Sequence, residues 1–182
     1  MKLRILGIDP GTTIMGYGIL DVENNKAVLI SLGYIDLTKI KTHYEKLKHI
    51  HERVTGIIES FHPDELAIES PFYGENVQSM LKLGRAQGSA IVAAVLRGLP
   101  VFEYSPKKIK LAITGNGNAS KIQVARMLQS VLKIETLPSK MDATDGLAAA
   151  YCHFANKKLL SPNKKNSNSW EDFIKNNDDR VL

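Results

Sequence analysis

The first 37 residues hold three extended runs, Leu3 to Asp9, Gly16 to Val22 and Ala27 to Leu37, separated only by short turn-rich connections. A parallel neighbour needs a crossover of about a dozen residues or more, so strands this close in sequence pair as an antiparallel meander. Thr42 then opens a helix with Glu45 three residues on, the spacing at which a threonine caps the helix and a glutamate bonds back to the cap. That helix runs to about Phe61, where His62-Pro63-Asp64 stops it. Glu65 to Glu69 follows as a short apolar strand, and a strand reached through a helical crossover lies parallel to its sheet neighbour.

From about Asn76 to Leu96, the residues Leu81, Gly84, Gly88, Ile91, Val92 and Val95 recur at three- and four-residue intervals, a helical period. Pro100 to Tyr104 is a fifth strand. Ser105-Pro106 is an N-cap followed by a proline at the first helical position, and Ser120 to Leu132 and Lys140 to Ala155 read as two further helices. This order predicts an α/β chain of the ribonuclease H-like fold, a five-stranded mixed sheet flanked by helices. With 182 residues the chain is expected to bury one core, and residues 1–155 are read as that domain. Residues 156–182 are read as a polar tail, with six Asn and three Ser. Trp170, Phe173 and Ile174 sit there at helical spacing, so the tail is either a mobile terminus or a short docking helix.

Cys152 is the single cysteine, which excludes a disulfide framework and a cysteine-built zinc site and favours a reducing, cytoplasmic setting. The most apolar stretch, Ala90 to Leu96, ends at Arg97, far short of the ~20 residues that span a membrane. The excess of 24 Lys and Arg over 19 Asp and Glu only mildly favours a polyanionic partner.

Four acids fall where a core would not place them. Asp9 ends the first strand, Glu69 ends the fourth, and Asp142 and Asp145 lie three apart on the last helix, on one face of it. Each interrupts an apolar context, and a buried ion without a partner is very costly. Clustered carboxylates repel one another unless divalent cations neutralise them. An all-oxygen ligand set suits hard Mg²⁺ or Mn²⁺ and argues against zinc or copper. Two such ions ~3.5–4 Å apart serve phosphodiester hydrolysis. Taken singly, each acid also fits a surface position or a helix cap. Gly7-Ile8-Asp9-Pro10-Gly11-Thr12-Thr13 also suits a phosphate loop of the actin and sugar-kinase type, but such ATPases need a second facing domain and the chain holds no second copy of the motif.

Gly7-Ile8-Asp9-Pro10-Gly11 with Gly16-Tyr17-Gly18, Ala67-Ile68-Glu69 with Phe72, Lys82-Leu83-Gly84-Arg85-Ala86-Gln87-Gly88, Pro100-Val101-Phe102-Glu103-Tyr104, and Asp142-Ala143-Thr144-Asp145 together resemble the RuvC family of Holliday junction resolvases. The resemblance spans about residues 3 to 155. It implies a homodimer that makes paired Mg²⁺-dependent nicks in a four-way DNA junction, leaving 5′-phosphate and 3′-hydroxyl ends, and that works with the RuvA and RuvB branch-migration proteins. It also implies that Asp9, Glu69, Asp142 and Asp145 are the catalytic metal-binding acids, that Lys110 and Lys121 are the basic active-site positions, and that Phe72 stacks on or wedges into the opened junction.

Between Glu103 and Glu135 no acid occurs, while Lys107, Lys108, Lys110, Lys121, Arg126 and Lys133 do. Beside a carboxylate–metal site, such lysines hold a phosphate backbone with salt-sensitive affinity; a merely solvated face is the plainer alternative. The turn Gly115-Asn116-Gly117-Asn118 offers either backbone amides to a phosphate or a simple connection between helices. Phe72, with Tyr73, puts aromatic groups in a loop, for base stacking or as a hydrophobic rim. Gly84 and Gly88 leave a flat strip for another helix of the same chain or for a second subunit. His43, His49, His51, His62 and His153 show no ligand-like convergence and are assigned surface or packing roles. A RuvC-like nuclease of RNA, of the YqgF type, and a non-catalytic junction-binding module are the competing functions.

Overall fold

The structure, a computed structural model, describes residues 2–71, 76–136, 138 and 140–160. The meander is present as β1 (Leu3–Asp9), β2 (Ile14–Glu23) and β3 (Lys26–Asp36), with antiparallel pairing throughout. Asn24 and Asn25 form the turn between β2 and β3 at φ 50° and 59°, the left-handed pair that a two-residue hairpin of matching twist requires and that asparagine tolerates. α1 (His43–Phe61) carries the expected capping box of Thr42 and Glu45 and ends at His62 with φ 48°. β4 (Glu65–Glu69) then pairs with β1 in parallel, Ile8 opposite Ile68. Asp9 and Glu69 therefore leave adjacent strands at the same end of the sheet.

α2 (Val77–Val95) is capped by Asn76, and β5 (Val101–Tyr104) adds in parallel beyond β4. The strand order β3-β2-β1-β4-β5 is the five-stranded mixed sheet that the sequence predicts. α3 (Pro106–Thr114) starts on the Ser105 cap with proline in its first turn. α4 (Lys121–Leu132) starts on a capping box of Ser120 and Gln123. α5 (Asp142–Leu160) begins two residues later than the expected Lys140 and continues past Ala155. Among the described residues, no helix is long and apolar enough to cross a membrane.

Strand alternation feeds two cores. Leu6, Ile8 and Ile19 meet Ile50, Val54 and Ile58 of α1 and the alanines Ala86, Ala90, Ala93 and Ala94 of α2. Ile5, Leu20 and Ala67 face the other way, toward Ile109 and Ile113 of α3, Val124 and Leu128 of α4, and Leu147 to Ala150 of α5. Each fully buried Ile or Leu contributes ~1.5–3 kcal/mol of transfer free energy.

The contact of α5 with the sheet is unusually close. A Cβ built on Gly16 would lie 1.7 Å from the Asp142 carbonyl oxygen, on Gly18 2.5 Å from Leu147 Cα, and on Gly7 2.2 Å from the Gly146 carbonyl oxygen. On the helix side, a Cβ on Gly146 would lie 2.5 Å from Tyr17 Cα. Helix backbone thus rests on strand backbone where Gly16 meets Asp142 and Gly146 meets Tyr17, with the Leu147 and Ala150 Cβ atoms seated over Gly18 and Gly7. This seat holds the first turn of α5, with its two acids, down against the sheet beside the end of β1.

Candidate active site

Three elements deliver carboxylates to one cleft of about 160 Å³: Asp9 from the end of β1, Glu69 from the end of β4 and Asp145 from the first turn of α5. Lys110 of α3 and Lys121 at the start of α4 line the same cleft, and Ile109, Val124 and Ala148 form its apolar wall.

Burial pushes the Asp9 carboxyl well above the ordinary carboxylate range, and the charges of Glu69, Asp145 and Asp142 add to the shift. Burial, then the Asp145 charge, raises Glu69 to about 7. Asp145 is also raised, by burial first, with its hydrogen bond to Lys121 opposing the shift. Burial acts to lower Lys121, but the hydrogen bond to Asp145 and the surrounding acids outweigh it and hold that ammonium above its usual value. The Lys121 ammonium donates to Asp145 Oδ2 at 2.6 Å. Asp142 does not line the cleft, although its charge acts on Asp9, Asp145 and Lys121.

Oxygen donors that raise one another's pKa are a set that a hard divalent cation relieves. The donor chemistry therefore fits Mg²⁺ or Mn²⁺. Among the described residues, however, no three His, Cys, Asp or Glu side chains are posed to hold one ion together; one Asp145 oxygen is turned to Lys121 instead. Seating an ion asks for side-chain rotation, with the backbone positions already in place.

The remaining sequence-predicted residues separate into groups. Lys107 is exposed and its stem lies where a Cβ on Gly117 would fall. Lys108 is also exposed, with its ammonium 5.0 Å from the centre of the Tyr104 ring. Neither lines the cleft. Phe72, with Tyr73, lies outside the described residues. In the Gly115–Asn118 turn the amides of Gly115, Asn116 and Asn118 are spent internally. Gly115 donates to Leu111 and Ala119 to Asn116, while Asn116 donates to Thr114 Oγ1 and Asn118 to Asn116 Oδ1. Gly115 takes φ 73° as the helix cap. The turn connects α3 to α4, with most of its amides engaged in capping.

Nothing lies within 4 Å of a Cβ added at Gly84 or Gly88, so among the described residues no helix of this chain covers that strip. Val77, Leu81 and Val92 stand 62%, 51% and 50% exposed on the same stripe.

Sequence reasoning missed three positioning features. The glycine seat was visible as Gly16-Tyr17-Gly18, but only the packing of α5 gives those glycines a reason. Gln87 of α2, 7% exposed, donates to the Glu69 carbonyl at 3.3 Å and to Glu103 at 2.8 Å, tying α2 to the end of β4. His153 is not a loosely packed residue: it is buried and bonded at both ring nitrogens.

The sequence profile of the family described as Crossover junction endodeoxyribonuclease RuvC matches residues 5–153. A protein named Crossover junction endodeoxyribonuclease RuvC from Bacteroides fragilis is 62% identical over 180 residues, spanning 97% of this chain and 95% of its own. One of the same name from Christiangramia forsetii is 59% identical over 177 residues, spanning 97% and 92%. Among solved structures, Thermus thermophilus RuvC in complex with a Holliday junction substrate superposes with a TM-score of 0.80 at 31% identity, covering 87% of this chain and 97% of that one. The yeast mitochondrial Holliday junction resolvase Ydc2 shares the fold, with a TM-score of 0.65 at 16% identity. With profile, full-length relatives and fold in agreement over a cleft of converging acids, the chain belongs to the crossover junction endodeoxyribonuclease RuvC family.

Proposed function

We propose that this protein resolves Holliday junctions, acting as a structure-selective endonuclease that hydrolyses one phosphodiester bond in each of two opposed strands during DNA recombination and repair. The observation that carries the reading is the convergence of Asp9, Glu69 and Asp145 with Lys110 and Lys121 in one cleft of a RuvC-family chain. Asp9, Glu69, Asp142 and Asp145 are the catalytic acids and hold the metal. Mg²⁺, two ions per site and replaceable by Mn²⁺, supplies when bound an activated water and charge stabilisation at the departing 3′ oxygen.

The chain's own side chains do the positioning. Lys110 and Lys121 hold the scissile phosphate over the acids, and Lys121 passes from Asp145 to the phosphate as DNA enters. The wall of Ile109, Val124 and Ala148 keeps water from one side of the cleft and strengthens charge interactions inside it. Lys107 and Lys108, on the outer side of α3, bind flanking backbone without reading sequence. Phe72 stacks on a base at the opened crossover.

The exposed stripe of Val77, Leu81, Gly84, Gly88 and Val92 is the contact for a second copy, giving a homodimer whose two-fold axis matches that of the junction. The family resemblance adds the RuvA and RuvB branch-migration proteins as partners, and the single cysteine, Cys152, favours the cytoplasm as the setting. The nuclease domain runs past residue 155 to the end of α5 at Leu160, and residues 161–182 follow it in sequence.

Cleavage of a synthetic mobile four-way junction, compared with matched duplex and structured RNA in Mg²⁺ and in EDTA, tests the reading. Symmetric Mg²⁺-dependent nicks on the junction alone are expected. Cleavage of RNA alone would replace this reading with the YqgF-type nuclease, and tight junction binding without nicks would replace it with a binding module.

A further inference from the structure

His153 lies on α5 eight residues beyond Asp145 and is 1% exposed. Its Nδ1 is 2.6 Å from the Tyr104 hydroxyl, and its Nε2 is 2.6 Å from Glu65 Oε2. Lys157, one turn further on, also bonds to Glu65. The Phe102 ring packs on the imidazole with centroids 4.4 Å apart. None of these groups lines the acid cleft, and the mechanism above uses none of them.

Proton accounting fixes the direction of the chain. The Glu65 carboxylate only accepts, so Nε2 carries the hydrogen and donates; Nδ1 is then bare and accepts from the Tyr104 hydroxyl. Burial lowers the His153 pKa and lifts Tyr104 to about 12, and both shifts favour a neutral imidazole beside a protonated phenol.

The two anchor points are telling. Glu65 opens β4, the strand that Glu69 closes, and Tyr104 is the β5 residue in register with Glu69. The glycine seat brings α5 close to the sheet, and the apolar packing of Leu147 to Ala150 around it is non-directional, so hydrogen bonds are what can fix the helix along its axis. Among the described residues, the side-chain hydrogen bonds from α5 to the sheet are those of His153 and Lys157. Sliding by a single residue would move Asp145 by ~1.5 Å, whereas metal–carboxylate distances tolerate ~0.2 Å.

We propose that the Glu65–His153–Tyr104 chain is a clasp that sets the axial position of α5 against β4 and β5, and thereby the gap between Asp145 and Glu69 into which the cation is drawn. His153 and Tyr104 are positioning residues. The clasp rests on the reading of the acids as metal ligands.

The test compares Tyr104→Phe, His153→Phe and the conservative Glu65→Gln with the wild-type chain. Mn²⁺ affinity is measured by calorimetry, half-saturating Mg²⁺ by junction nicking, and junction affinity in EDTA. Tyr104→Phe and His153→Phe are expected to weaken Mn²⁺ binding and raise half-saturating Mg²⁺ by ~10-fold, the usual scale for an outer-shell partner. Junction binding in EDTA stays within about twofold of wild type, and saturating Mg²⁺ restores most of the nicking rate. Glu65→Gln keeps an acceptor for Nε2 but loses the one for Lys157, so it is expected to raise half-saturating Mg²⁺ by less than Tyr104→Phe or His153→Phe. A lowered melting temperature with Mn²⁺ and Mg²⁺ dependence unchanged in Tyr104→Phe would overturn the clasp, since that is the signature of packing alone. A wild-type chain that neither binds Mn²⁺ nor nicks would instead remove the metal reading, and the clasp's role with it.

Discussion

The two faces of the sheet are packed by different means. On the α1 and α2 side, branched and small side chains interdigitate: Leu6, Ile8 and Ile19 against Ile50, Val54 and the α2 alanines. On the α5 side, Gly7, Gly16 and Gly18 let the helix backbone settle directly onto the strands, with the side chains of Leu147 to Ala150 packed around that seat. The first arrangement is ordinary core and adapts to small changes in volume. The second is backbone against backbone at its glycines, with the least room to move aside. The acids of the cleft sit at the end of this more constrained face, so site geometry depends on one side of the sheet more than on the other.

Substituting the two faces in parallel tests this contrast most severely. Gly16→Ala drives a methyl into the Asp142 carbonyl and is expected to destabilise by ~3 kcal/mol or more and to abolish nicking. Ile50→Val in the opposite core is expected to cost ~0.5–1.5 kcal/mol and leave nicking intact. Urea denaturation midpoints and junction cleavage read both, and equal losses from the two variants would erase the distinction.

Next come the acids themselves. Asp9→Asn is expected to abolish cleavage while retaining junction binding; normal cleavage by that variant in Mg²⁺ would remove the metal assignment. Glu69 titrates at about 7 in the fold against ~4.3 unfolded. The folded state therefore binds this proton more tightly, and its contribution is lost as pH rises from about 4 to 7. Glu69→Gln should thus abolish nicking yet stabilise the chain at pH 8 by ~1–2 kcal/mol, after discounting for solvent in the cleft. Thermal melting at pH 8 and at pH 5 checks the sign, because the gain should shrink at the lower pH. For the same reason, half-saturating Mg²⁺ should rise by up to ~10-fold per proton displaced for each pH unit below 7.

The outer surfaces carry smaller effects. Leu81→Asp, on the exposed α2 stripe, is expected to break the proposed dimer into monomers in sedimentation without lowering the melting temperature of the protomer, and a wild-type chain that sediments as a monomer would remove the dimer reading. Lys121→Ala is expected to weaken junction affinity and reduce the slope of log affinity against log salt by ~1.

Much of this was legible because it is local or follows from strand direction. Capping pairs such as Thr42 with Glu45 lie within four residues of each other. The adjacency of Asp9 and Glu69 follows once a helical crossover forces β4 parallel to β1. What stayed hidden depends on how remote segments meet. Asp142 and Asp145 share a helix face by spacing, but only the seating of α5 decides that Asp145 enters the cleft and Asp142 stays at its margin. The pairing of His153 with Glu65 spans 88 positions, and no local pattern announces it. The Gly115–Asn118 turn has two readings in sequence, and only the folded turn shows that the amides of Gly115, Asn116 and Asn118 serve its own capping.

The glycine seat also bears on how such a chain tolerates change over its history. One residue inserted between Asp142 and Asp145 would turn the second acid by ~100° about the helix axis, with no flexible side chains beneath to absorb the shift. In the opposite core a lost methyl leaves a small cavity and a working enzyme. The positions with least freedom to drift are therefore ones that bear no side chain at all, and a survey of sequence variation that scored only chemical groups would overlook them.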